Sequence, residues 1–306
     1  MACDFNHPLP LPRAPPHAQD LPPWKTEKRQ GLVKKLLGHN LEMFQREQLG
    51  IITANDAHAF DVPSVARLKE SRTVFNARNE SVVREVFVAI DPAGGGESNM
   101  AICSGFFRLD GTIVVVGAEA RPTVDDTAQT RLLHVHFEKL RSLPFLRVAP
   151  IVVIIESNMS WVLSTRIADL LSVYQPIKFL REDPTAHGRV GIWCTNSIKE
   201  MMRLETNTKL MQTAVSFLQP MVSLTPDISN EICGQLNKYK YVFKQPNDSF
   251  GKVRRALTGK GFNANDDLCI VFQMLCFWPK SYYDQPQRAT TFGSSASGYK
   301  AAYGTV

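Results

Sequence analysis

The sequence predicts an α/β domain built around one mixed sheet. Three strand-like runs arrive in quick succession, "EVFVAI" (85–90), "NMAICSGFF" (99–107) and "TIVVVGAEA" (112–120). A run of five β-branched residues follows in "PIVVIIESN" (150–158), the composition of a strand buried on both faces. Helical stretches then alternate with strands, giving the order β-β-β-α-β-α-β-α, which is an α/β layout.

Taken in order, residues 1–24 are proline-rich with little periodic hydrophobicity and read as an extended or disordered lead-in. Residues 25–80 turn helical in places, in "LEMFQREQLGIITA" and then "AFDVPSVARLKES", where Asp61 and Pro63 signal a helix start. The α/β domain is assigned to residues 81–284. Its second and third strands are joined by "RLDG", whose Asp-Gly pair is a hairpin turn signal. The first helix of the domain is expected from about Asp125 to Leu143, with Leu132, Leu133, Val135, His136, Phe137 and Leu140 forming a mostly apolar face. His134 and His136 point to different faces and read as a surface and a half-buried histidine rather than as metal ligands. After the β-branched strand come a helix "SWVLSTRIADLLSVY", a short strand "IKFLRE", a helical stretch from about Asn196 to Leu218, a mixed segment, and a last helix opening with "NANDDLCIVFQMLCFW". Residues 285–306 are Ser/Gly/Ala-rich and read as a flexible tail.

A chain of 306 residues, 44% hydrophobic and 21% charged, has enough apolar content to bury one generous core. No apolar run reaches the about 18 residues of a membrane span. The N-terminus also lacks the basic-then-apolar layout of a signal peptide, so an intracellular protein with no membrane partner is expected. The six cysteines, Cys3, Cys103, Cys194, Cys233, Cys269 and Cys276, form no C-x-x-C pair and read as reduced core thiols. A net charge of +6 and a pI near 9.0 fit a polyanionic partner such as nucleic acid.

Three acidic positions stand at the ends of elements. Asp91 ends the first strand, Glu156 ends the most buried one, and Asp266 with Asp267 opens the last helix. In open α/β sheets the functional crevice lies beyond the carboxyl ends of the strands, so Asp91 and Glu156 emerge side by side if their strands are parallel neighbours. Taken singly, each acid has a plain structural role as a turn, strand-end or helix-cap residue. Together, clustered carboxylates repel unless a divalent cation compensates them, and all-oxygen ligation suits Mg²⁺ or Mn²⁺. Two such ions about 4 Å apart activate a water and stabilise the leaving oxygen in an in-line attack on a phosphodiester.

The stretches "AIDPAGGG", "VVIIESN" and "TGKGFNANDDL" resemble the three acidic motifs of the C-terminal nuclease domain of the viral terminase large subunit, the DNA-packaging motor protein of tailed phages and herpesviruses. The Asp-Pro-Ala start and the "GK…N…DDL" run look closest to the herpesvirus branch, and the likeness spans about residues 40 to 280. It implies an RNase H-like, integrase/resolvase-type fold with a mixed five-stranded sheet flanked by helices. By the same likeness Asp91, Glu156 and one or both of Asp266 and Asp267 are the ligands of two Mg²⁺ or Mn²⁺ ions. Lys199, in "TNSIKEMM", falls where related nucleases carry a lysine near the site. "MFQREQLGIITANDAHAF" is similar to the segment that ends the motor's ATPase domain. The basic residues Lys252, Arg254, Arg255 and Lys260 are candidates for sequence-independent phosphate contacts, with a solvated charge run as the plain alternative.

The resemblance implies an endonuclease that cuts double-stranded DNA during genome packaging. Its expected partners are DNA, other terminase subunits and the capsid portal. Its expected place is the host nucleus if herpesvirus-like, or the host cytoplasm if phage-like. No G-x-x-x-x-G-K-[ST] phosphate loop occurs, so the chain reads as a nuclease portion made separately or as a standalone relative, unable by itself to drive ATP-powered packaging. Two other readings stay open. "DPAGGG" also resembles the first phosphate loop of actin-like ATPases and sugar kinases, with "RLDGTI" as the only candidate for the second loop. A non-catalytic DNA-binding or assembly module is the third.

Overall fold

The sheet alternates its side chains strictly between two helical layers, and that alternation fixes where the site lies. The structure is a computed structural model that describes residues 58–75, 83–92, 99–122, 125–158, 160–182, 189–244, 254–258, 265–285 and 289–290.

The elements in order are α1 (Val62–Glu70), β1 (Arg72–Thr73), β2 (Val86–Asp91), β3 (Asn99–Phe107), β4 (Ile113–Pro122), α2 (Asp126–Ser142), β5 (Ile151–Ile155), α3 (Trp161–Leu171) and β6 (Ile177–Leu180). They continue with α4 (Asn196–Met211), β7 (Val215–Val222), α5 (Ile228–Lys238), β8 (Lys240–Lys244), β9 (Arg254–Thr258), α6 (Asp267–Asp284) and β10 (Ala289–Thr290). All the described residues fall within one compact unit, Ala57–Val306.

Eight strands form the main sheet, in the order β1-β7-β4-β3-β2-β5-β6-β10. Its centre, β4-β3-β2-β5-β6, is built from the five strands legible in the sequence. β2, β3 and β4 run antiparallel, as the Asp110-Gly111 turn requires, and β5 and β6 join β2 and each other in parallel. The sheet is wider than expected by three strands. β7 adds in parallel to β4, β1 in parallel to β7, and β10 antiparallel to β6. The helix expected to run to Leu218 stops at Met211, and the chain turns at Thr213 (φ 53°) into β7. Val215 and Phe217 are fully or nearly buried there, so pairing along β4 overrides local helical preference. β8 and β9 form a separate two-stranded ribbon.

On one face Phe87, Ala89, Ala101, Cys103, Ile113, Val115, Val152 and Ile154 pack against α1, α4, α5 and α6. On the other, Val86, Val88, Ile90, Met100, Ile102, Val114, Val116, Ile151, Val153 and Ile155 pack against α2 and α3. A sheet covered on both sides explains why β2 and β5 are apolar throughout rather than alternating. Helix α6 is buried on nearly all sides, including Cys269, Ile270, Val271, Phe272, Met274, Leu275 and Cys276.

Local signals behave as their chemistry demands. Asp61 caps α1 by accepting the Ser64 backbone N–H at 3.0 Å, and Asp125 caps α2 by accepting that of Ala128 at 2.7 Å. Cys103, Cys194, Cys233, Cys269 and Cys276 are free, buried thiols, while Cys3 lies outside the described residues. His136 departs from the half-buried position expected of it. It is fully buried, with Nε2 bonded to the Ser104 hydroxyl at 3.1 Å and its ring pressed against Gly117, where a Cβ would come within 3.2 Å of Cε1. No helix among the described residues is long and apolar enough to cross a membrane.

Candidate functional site

The geometry of the site follows from register and parity. β2 and β5 are parallel neighbours, with Ile90 opposite Ile155. One residue further on, Asp91 and Glu156 stand level, and the Glu156 N–H donates to the Ile90 carbonyl at 2.9 Å. Both acids continue the odd-even set that includes Phe87, Ala89, Val152 and Ile154, so they share the face covered by α4 and α6. Those two helices carry the remaining candidates: Lys199 in the first turn of α4, Asp267 as the first residue of α6, and Asp266 at its N-cap position.

The acids are held away from bulk water. Glu156 is 7% exposed, Asp266 7% and Asp267 3%. Burial first, then the charge and hydrogen bond of Glu156, then the charge of Asp267, push the Asp91 carboxyl well above the usual range, and Lys199 only partly offsets them. The Asp91 carboxyl is therefore held toward its protonated form by its burial and by its acidic neighbours. Lys199 Nζ lies 3.5 Å from Glu156 Oε1. Burial works against its ammonium, but Glu156, Cys194, Asp91 and Asp266 outweigh that and raise its pKa. The neighbouring Cys194 thiol is pushed up by burial and by Glu156 and stays neutral.

One residue of the centre was not singled out from the sequence. Asn158 donates through Nδ2 to Glu156 Oε1 at 2.8 Å and to the Cys194 carbonyl at 3.0 Å, while its Oδ1 accepts the Cys194 N–H at 2.6 Å. Its amide therefore orients Glu156 and clamps the segment leading into α4. The signal was present in "ESN", two residues beyond the glutamate. Asp267 is oriented too, since its Oδ2 accepts the Asn99 backbone N–H at 3.2 Å. The Asp266 side chain makes no capping hydrogen bond to α6.

The donor set is all oxygen and suits a hard divalent cation. Among the described residues no three His, Cys, Asp or Glu side chains are already closed into a metal-ligating group. What fits a cation is the crowding of Asp91, Glu156 and Asp267, which pushes the Asp91 carboxyl upward and which the positive charge of a metal ion would relieve.

Asp91, Glu156, Asp266, Asp267 and Lys199 are thus brought together. Of the basic candidates, Lys252 and Lys260 lie outside the described residues. Arg254 and Arg255 lie on β9, paired with Lys244 and Phe243 of β8, in a ribbon beside α4. The Asp110-Gly111 turn, the candidate second phosphate loop, joins β3 to β4 at the end of the sheet opposite Asp91, because Gly105 pairs with Phe87 while Ala101 pairs with Asp91.

No family model matches the sequence, and no curated protein matches it. Solved structures do match. The human cytomegalovirus terminase nuclease domain, manganese-soaked and inhibitor-bound, aligns at a TM-score of 0.57 and 15% identity, covering 76% of this chain and 99% of that one. The same viral domain without those additions aligns at 0.55 and 15% identity, with the same coverage of 76% and 99%. Its manganese-soaked form aligns at 0.55 and 14% identity, again over 76% and 99%. With β4-β3-β2-β5-β6 at its centre, the chain shares its fold with this terminase nuclease domain.

Proposed function

We propose that this chain is a Mg²⁺- or Mn²⁺-dependent endonuclease that cuts double-stranded DNA during viral genome packaging, hydrolysing phosphodiesters with two metal ions to resolve concatemers. The observation that carries the reading is the convergence of Asp91, Glu156 and Asp267 at one sheet end, with Asp91 driven toward protonation by burial and by its acidic neighbours. The fold shared with the manganese-soaked cytomegalovirus domain supports it.

In this reading Asp91, Glu156 and Asp267 hold the metals, with Asp266 assisting. When bound, the metals supply the activation of a water and the stabilisation of the leaving oxygen. Lys199 holds a positive charge against Glu156 and is the cation available to a bound phosphate. Asn158 keeps Glu156 in one orientation. Arg254 and Arg255, with Lys252 and Lys260, contribute phosphate contacts without reading sequence. Other terminase subunits and the capsid portal are the expected partners, in the host nucleus if the virus is herpesvirus-like or the host cytoplasm if it is phage-like.

The ATP-binding alternative is disfavoured by the position of the Asp110-Gly111 turn, which cannot close on a phosphate near Asp91 from the opposite end of the sheet. A non-catalytic module gives no reason to bury three carboxyls together. Nicking of supercoiled plasmid in Mn²⁺, measured alongside ATP turnover, separates the three. Metal-dependent nicking abolished by EDTA and no ATP turnover is the expected result. Cleavage that persists in excess EDTA contradicts the metal centre, and ATP turnover without cleavage favours the kinase-like reading.

A further inference from the structure

Beside the acidic centre the chain displays an aromatic surface that the chemistry above does not use. Trp193 is 41% exposed, although it lies in a segment fixed on both sides. Residues 191 and 192 wedge between the carboxyl ends of β5 and β6. Ile192 bridges Glu156 and Gly191 bridges Arg181, with Ile192 N–H to the Ile155 carbonyl at 2.8 Å and Ser157 N–H to the Ile192 carbonyl at 2.9 Å. Gly191 makes the wedge possible. Its φ of +106° is costly for any other residue, and a Cβ there would meet the Ile155 carbonyl oxygen and Ser157 Cβ at 3.0 Å. On the other side of Trp193, both backbone polar groups of Cys194 are bonded to Asn158, whose amide also holds Glu156.

The tryptophan is therefore tied through one side chain to a catalytic carboxylate. Its ring lies near-parallel to that of Trp161 at the start of α3, with centroids 6.4 Å apart and 27° between planes. The exposed Arg189 sets its guanidinium 5.8 Å from the Trp161 ring centroid. An aromatic pair with a cation beside it, at the sheet end that carries the acids but on the side of α3 rather than of α4 and α6, has the make-up of a nucleic-acid stacking platform. Such a ring loses little entropy on binding, and every base offers it a π-face.

Resting on the nuclease reading of the adjoining site, we infer that Trp193, backed by Trp161 and Arg189, stacks on an unpaired base of DNA bound at this end of the sheet. The inference calls for a substrate that presents an unstacked base there, as a frayed end or an opened step does.

The test is binding of the full chain, in EDTA buffer, to a DNA hairpin bearing a short thymine overhang and to the same hairpin with abasic overhang positions. Fluorescence anisotropy gives the affinities. The wild type is expected to prefer the base-bearing overhang by about tenfold, within the range of a single base–aromatic stack, and its tryptophan fluorescence should be quenched. Trp193→Ala is expected to lose the preference and most of the quenching while keeping its affinity for the abasic hairpin, and Trp193→Phe to retain most of the preference. A wild type with no preference, or a Trp193→Ala variant that keeps it, overturns the inference. Should Trp193→Ala fail to fold by circular dichroism, the wild-type comparison and Trp193→Phe still decide. Plasmid cleavage in Mn²⁺ is run in parallel. Base preference without cleavage contradicts the nuclease reading and leaves the stacking surface standing, while cleavage without base preference does the reverse.

Discussion

At the residue scale, Asp266 and Asp267 are adjacent yet differently employed. Successive helical residues point about 100° apart, and here the difference has consequences. Asp267 bears on Asp91 and is oriented by the Asn99 N–H, whereas Asp266 acts on Lys199 and makes no capping bond. Asp267→Ala is therefore expected to lower Mn²⁺-dependent cleavage by at least about a hundredfold, equivalent to roughly 2.7 kcal/mol of transition-state stabilisation, and Asp266→Ala by about tenfold or less. Cleavage rates of the two variants at saturating metal check this, and equal losses contradict it. The acids could be picked out in the sequence because Asp91 and Glu156 end strands and Asp266 and Asp267 open a helix whose type was clear. Asn158 was not, since an asparagine after a strand has the same appearance whether it caps a turn or aims at a carboxylate. Only the fold brings Cys194 within its reach.

At the scale of elements, the five central strands were readable because their β-branched runs are long and bounded by turns. β7 was hidden by Pro220 within "VSFLQPMV", by a preceding helix with no glycine stop, and by a partner strand a hundred residues earlier. The entries of β5 and β6 are joined by a device equally invisible in the sequence. Arg141, near the end of α2, donates to the carbonyls of Leu146 at 3.0 Å, Ala149 at 2.7 Å and Tyr174 at 3.0 Å. Arg141→Ala leaves these carbonyls without their charged donor, so a loss of about 2–4 kcal/mol is expected in chemical denaturation. These contacts sit at the end of β5 remote from Glu156, so metal-dependent cleavage below the melting transition should persist. A variant as stable as the wild type, or a stable one that does not cut, contradicts this division of labour.

For the whole molecule, His136 couples folding to pH. Burial lowers its pKa from 6.5 to about 3, so the native state keeps the ring neutral while the unfolded chain takes up a proton below pH 6.5. The unfolded state then binds more protons, and the stability lost as pH falls from about 6.5 toward 3 approaches about 1.4 kcal/mol per unit. Replacing the ring by His136→Gln is expected to flatten the stability profile between pH 6.5 and 4 relative to the wild type, as read from urea midpoints. An unchanged difference between the two proteins across that range would show that the histidine does not carry this coupling.

The fold as a whole delivers two acids by strand register and two by a helix start to one point. The most direct test of that claim is the rate of double-stranded DNA cleavage in Mn²⁺ for the wild type, Asp91→Ala and Glu156→Ala, with melting temperatures taken in metal-free buffer. Near-complete loss of cleavage in both variants, with melting temperatures equal to or slightly above the wild type because a crowded carboxylate has been removed, is the predicted result. Normal cleavage by either variant, or unfolding of both, contradicts the account.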